Sequence, residues 1–193
     1  MLKPKHVIFS ATIVTIVAIM AMAPEKSSSG APASHTGAPG EVTCATGGCH
    51  DDNAVNAGNA ILSIDMGTTQ YTPGQTYSMK VKIAESSVNR FGFQLLALTN
   101  SDTSNVGVFK LADAQRTQFA KNQYKLLNRQ YVTYSYDGTD AVSPGVGEWT
   151  VNWTAPSVNK GPITFYASGV SADDDESDRG DHVYTKSLTI QPL

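Results

Sequence analysis

From about residue 61 onward, apolar and polar side chains alternate with a period of two, and this alternation restricts the chain to extended strands. Tyr77, Met79, Val81 and Ile83 fall on one side, with Ser78, Lys80 and Lys82 on the other. Residues two apart share a face in a strand, whereas a helix needs spacings of three and four. Leu62, Ile64 and Met66 alternate with Ser63 and Asp65 in the same way. Trp149, Val151 and Trp153 oppose Thr150, Asn152 and Thr154. Residues 91–98 are apolar on both faces and predict a central strand. Residues 106–111, 129–136, 163–170 and 183–190 complete a set of eight. Pro73 and Gly74, within Tyr71-Thr72-Pro73-Gly74-Gln75, stand where a type II turn needs them. Short strands separated by turn residues predict an all-β, antiparallel β-sandwich. Residues 112–127 are the exception and predict a helical turn or a long loop.

Upstream of residue 61 the pattern is absent. Lys3 and Lys5 precede an uncharged, mostly apolar run of 17 residues at 7–23, and Ala21-Met22-Ala23 has the small-x-small form of a processing site. Residues 1–23 are therefore expected to be a signal peptide or, given Pro24 directly after them, a retained N-terminal anchor. No cysteine lies near Ala23, which argues against a lipid-modified amino terminus. Either outcome places the remainder outside the cytoplasm, with membrane contact only if the segment is retained. Residues 24–60 are rich in Ala, Gly, Ser, Pro and Asn, and Val42 and Val55 are their only large aliphatic side chains. Such a stretch cannot fold alone and predicts a linker, or a loop draped on something larger. Residues 61–193 then form the body.

The formal net charge is −3, which gives no basic surface for nucleic acid. Without residues 1–23 it becomes −5, and residues 173–181 alone carry −5, so the acidity sits in one loop. There is no Gly-x-Ser-x-Gly elbow, and His182 beside Asp181 has no identifiable nucleophile, so the chain is expected not to be an enzyme.

Several motifs, in order, carry a family resemblance: Ser29-Gly30-Ala31-Pro32, Tyr71-Thr72-Pro73-Gly74-Gln75-Thr76-Tyr77, Arg90-Phe91-Gly92-Phe93-Gln94-Leu95, Gln130-Tyr131-Val132-Thr133, Asn152-Trp153-Thr154-Ala155-Pro156 and Val183-Tyr184-Thr185. Over residues 29–190 the chain resembles the Reeler (reelin amino-terminal-like) domain, most closely its bacterial choice-of-anchor type V branch. The resemblance implies an immunoglobulin-like sandwich with an irregular N-terminal arm on a secreted, periplasmic or cell-surface protein. The carboxy-terminal anchoring tail often found in that branch does not follow the last strand here. The branch often carries Cys-x-x-Cys-His after an upstream histidine. The matching positions are His35 and Cys44-Ala45-Thr46-Gly47-Gly48-Cys49-His50, with two more residues between the cysteines.

Three chemistries suit that motif. Cys44 and Cys49 could bond the vinyl groups of one c-type haem, with His50 as proximal ligand to the iron and His35 as the sixth, Met66, Met79 and His182 being alternatives. The chain would then act in electron transfer or redox sensing with a redox partner. Alternatively the two cysteines form a disulfide, and the chain is a non-enzymatic adhesion or binding module with a surface partner. Zinc held by Cys44, Cys49, His50 and His35 is the third reading. The haem reading uses His50 most directly.

Asp173, Asp175, Asp178 and Asp181 supply hard oxygens that calcium could use, although their spacing also suits a solvated acidic turn. Arg179-Gly180-Asp181 matches an integrin-type tripeptide, and Asn152-Trp153-Thr154 a glycosylation sequon, on a strand where a packing or hydrogen-bonding role is expected. Trp149 and Trp153, alternating inward, predict core rather than a ligand platform.

Overall fold

The structure is a computed structural model that describes residues 30–46, 48–120, 128–175 and 177–193; the expected leader, residues 1–23, lies outside the described residues. The strands are β1 (Ile61–Asp65), β2 (Gln70–Tyr71), β3 (Thr76–Ala84), β4 (Arg90–Thr99), β5 (Val108–Leu111), β6 (Thr117–Phe119), β7 (Val132–Tyr134), β8 (Val146–Thr154), β9 (Ile163–Ala172) and β10 (His182–Pro192). They form a four-stranded sheet, β1-β3-β8-β5, and a six-stranded sheet, β2-β10-β9-β4-β7-β6. Pairings are antiparallel except for a two-residue parallel contact between β2 and the end of β10. The architecture is the expected all-β sandwich with an irregular N-terminal arm.

The period of two builds it directly. In β3, Met79, Val81 and Ile83 are fully buried while Ser78, Lys80 and Lys82 face solvent. The register sets Met79 opposite Val151 and Val81 opposite Trp149, so the inward side chains of β3 and β8 form one apolar surface. Across the sandwich it meets Phe91, Phe93, Leu95 and Ala97 of β4 and Ile163, Phe165 and Ala167 of β9. Trp149 stacks on Phe93 with centroids 4.4 Å apart and donates its indole N–H to the Gly138 carbonyl at 2.8 Å. Trp153 meets Phe165 edge-on at 5.0 Å and donates to the Val106 carbonyl at 3.2 Å. Both tryptophans are core, as expected. The turn before β3 also matches: the Gln75 amide donates to the Thr72 carbonyl at 3.1 Å, and Gly74 takes φ +77° at the third turn position.

One detail differs from the sequence reading. Residues 117–119 are neither helical turn nor loop but an edge strand, β6, paired with β7. Asp113 turns the chain into it by accepting the amides of Gln115 and Arg116 at 3.0 and 3.1 Å. β4 is buried on both faces, and its outer face is not covered by another sheet. Leu96 and Leu98 point outward and are still 0% and 1% exposed. Their cover is the arm, through a second apolar cluster of Ala33, Ala38, Leu96, Leu98, Ala120 and Tyr131.

Candidate functional site

The arm lies along the outer face of the six-stranded sheet, held by side chains that treat it as one more strand. Gln94 on β4 receives the His35 amide on its Oε1 at 2.8 Å and donates its Nε2 to the carbonyls of Pro32 at 2.8 Å and Ala31 at 3.3 Å. The Ala31 amide donates to Thr133 Oγ1 at 3.1 Å. A backbone bridge between Thr36 and Thr43 then reverses the chain. The reversal delivers Glu41 into the structure, its side chain 0% exposed against an Arg129 side chain at 10%. Arg129 donates to Glu41 Oε1 at 2.6 Å and to the carbonyls of Pro39 and Thr103. Tyr131 donates its hydroxyl to the same oxygen at 2.7 Å, and Thr36 donates to Glu41 Oε2. Burial first, with the Glu41 carboxylate adding to it, pushes the Tyr131 phenol up to about 12, which keeps it a donor.

Beyond Glu41 the arm reaches the motif that drew attention in the sequence. Cys44 is buried against Val170 and Val183, with Ala45 and Ala172 alongside, and its thiol faces the His35 carbonyl at 3.9 Å. Cys49 is half-buried, and both cysteines are free thiols. Residues 44–50 close on themselves, because the His50 amide donates to the Cys44 carbonyl at 3.2 Å and the Cys49 amide to Thr46 at 3.1 Å. His50 Nδ1 lies 2.5 Å from Oδ2 of Asp181, whose side chain is 1% exposed. The other Asp181 oxygen accepts the Asp173 amide, and its carbonyl accepts Asn53 Nδ2. A glycine makes room nearby: a Cβ on Gly92 would stand 2.7 Å from the Tyr134 ring. Burial first, and then the two cysteines, raise the Tyr134 phenol. The Ser168 hydroxyl, fully buried, has no hydrogen-bond partner among the described residues.

This geometry overturns the haem reading. Among the described residues no group of three or more His, Cys, Asp or Glu side chains is placed to hold a metal ion. The cause is that the expected ligands other than Cys49 are already committed elsewhere. Cys44 turns its sulfur into an apolar pocket, His50 holds Asp181, and His35 Nδ1 faces the carbonyls of Pro32 and Ala33 at 2.9 and 3.0 Å. Met66 and Met79 lie between the sheets, and His182 stacks beside Tyr184. Haem c does not fit these residues, and neither does zinc. Calcium fails for a related reason, since the acidic loop folds onto its own backbone and neighbours. Asp173 and Asp175 accept amides two residues on, Asp174 pairs with Arg90 at 3.0 Å, Asp181 is buried, and Asp178 is exposed. Burial of Asp181 also withdraws Arg179-Gly180-Asp181 from any receptor. Asn152 stands on the solvent side of β8, not in the core.

Burial pushes the Cys44 thiol from 9.0 up to about 11. Because the folded value is the higher one, the stability gained by burying the neutral thiol is intact below pH 9 and is lost as the pH rises towards about 11. Alkylation of the native protein with iodoacetamide near neutral pH is accordingly expected to modify Cys49 and spare Cys44, read by peptide mass, with Cys44 reacting only in strong base or denaturant. Equal labelling of both at pH 7 would contradict the pocket.

The fold and its docked arm define an immunoglobulin-like sandwich whose second layer of cover is supplied by its own N-terminal segment. Among solved structures the chain is similar to the reeler domain of human F-spondin, at 24% identity and a TM-score of 0.48, covering 72% of this chain and 93% of that one. It is also similar to the Reelin-N domain of F-spondin, at 26% identity and a TM-score of 0.47, covering 72% and 90%. A cohesin module from a Clostridium perfringens family 33 glycoside hydrolase is similar at 7% identity and a TM-score of 0.46, covering 69% and 95%. No protein-family profile and no curated protein matches the chain. Among the described residues no helix is long and apolar enough to cross a membrane.

Proposed function

We propose that the protein is an extracytoplasmic, non-enzymatic binding module of the Reeler type, in which the N-terminal arm is part of the folded body. The observation that carries this reading is where the motif residues meet. Ala31 and Pro32 of the first motif, Gln94 of the third and Thr133 of the fourth are the groups that bond one another across the arm and the sheet. A set of motifs spread over a hundred residues thus converges on one interface, which supports a shared architecture. The thiols and imidazoles of the arm serve the same interface: Cys44 packs, His50 and His35 bond their neighbours, and none is aimed at a common point. The leader-like segment at residues 1–23 supports a location outside the cytoplasm.

The test is made on cells producing the full chain. A membrane-impermeant amine label, followed by fractionation, is expected to mark the protein and find it with the envelope or the medium. A salt or competitor wash that releases it from the envelope then identifies the surface component it binds. Recovery in the cytoplasm, unlabelled, would contradict the reading.

A further inference from the structure

We propose that Cys44 and Cys49 form a redox latch that decides whether the N-terminal arm stays seated on the six-stranded sheet. The seat requires a reduced sulfur, since Cys44 occupies an apolar pocket between Val170 and Val183 as a small neutral side chain. Its partner Cys49 is half-buried and open to solutes. The two stand in one closed loop, tied by the His50 amide to the Cys44 carbonyl and by the His50 ring to buried Asp181. These ties keep both cysteines in one short stretch of chain, and a bond between the sulfurs draws the Cys44 side chain out of its pocket. The pocket that Cys44 fills is made by Val170 and Val183, with Ala45 and Ala172 packed alongside.

The chemistry is thiol–disulfide exchange with a low-mass disulfide as oxidant. The Cys49 thiolate attacks one sulfur of that disulfide, forms a mixed disulfide and expels the first small thiolate. Cys44 turns out of its pocket, gives its proton to water, and attacks the Cys49 sulfur, expelling the second small thiolate, which takes up a proton. Two protein thiols are oxidised to one disulfide, and one disulfide is reduced to two thiols. Linkage makes the coupling reciprocal: by whatever factor seating of the arm favours the thiols, reduction favours seating. The segment that moves is the one carrying Glu41 and the contacts to Gln94, so oxidation exposes Leu96 and Leu98 on the outer face of β4.

The proposal leans on the extracytoplasmic reading only for its supply of disulfides. Its test uses the purified full chain, so either can fail without the other. The protein is equilibrated with glutathione mixtures from fully reduced to fully oxidised, with intact mass and amide exchange read together. Oxidation is expected to remove two hydrogens and to speed exchange at the amides of Ala31, His35 and Gly37 about tenfold, while amides at the centres of β4 and β9 keep their protection. Cys49→Ser, a change at a half-buried position, is expected to keep a protected arm under the same oxidant. Three results would overturn the proposal: a disulfide with unchanged arm exchange, a stable glutathione adduct on Cys49 without closure, or a loss of protection that extends equally to β4 and β9.

Discussion

Replacing Arg129 with methionine is expected to cost about 3–5 kcal/mol and to release the arm. Among the described residues the guanidinium is the one cation paired with Glu41, whose side chain is 0% exposed. Without it the charge keeps the donors of Tyr131 and Thr36 but loses its opposite charge, and an uncompensated ion in a dry site is costly. The same change frees the carbonyls of Pro39 and Thr103, which Arg129 also holds. Arg129→Lys is expected to fall between the two, because an ammonium keeps the charge but cannot reach three acceptors from one plane. Adding Glu41→Leu to Arg129→Met is expected to recover part of the loss, since it removes the stranded charge. Urea denaturation gives the energies. An Arg129→Met midpoint equal to wild type would mean that the pair is solvated in solution.

The second large effect lies on the opposite side of the sheet. Trp149→Ala is expected to destabilise the whole sandwich by about 3–5 kcal/mol. The side chain is 1% exposed and stacks on Phe93, and its indole satisfies the Gly138 carbonyl beside the 3-10 turn at Asp137–Thr139. The truncation leaves a cavity between the two sheets and leaves the Gly138 carbonyl with the longer bond from Arg116 at 3.4 Å. The two variants separate the two layers of cover. Arg129→Met should raise amide exchange first in residues 31–45, whereas Trp149→Ala should lower the global midpoint with all strands opening together. A Trp149→Ala protein with a wild-type midpoint would contradict the packing described.

How far the sequence reveals this arrangement depends on the range of the contacts. Most of the strands are legible by themselves, through alternation, as in β3 from Tyr77 to Ile83, or through a run apolar on both faces, as in β4. β2 and β6, two and three residues long, leave too little pattern to read. The arm is legible as irregular, and as either a linker or a draped loop, but the face it seats on is not legible. Its cover comes from alanines and from backbone groups bonded to Gln94 and Thr133, which hydropathy does not register. One signal did point to it: β4 is apolar on both faces, and a strand with an outward Leu96 and Leu98 must be covered by something. The haem reading failed for a physical reason. Adjacent Cys and His residues state what a site could bind but not where the side chains turn. His50 turns to Asp181, 131 residues away. Asp181 in turn looks, in sequence, like the end of a solvated acidic run, although it is the member of that run buried to 2%.

Nuclear Overhauser contacts in the reduced protein test most directly whether residues 30–45 are built into the sandwich. Cross-peaks from the methyl groups of Ala33 and Ala38 to those of Leu96 and Leu98 are what this arrangement predicts. Random-coil shifts across the arm, with no contact to β4, would contradict it.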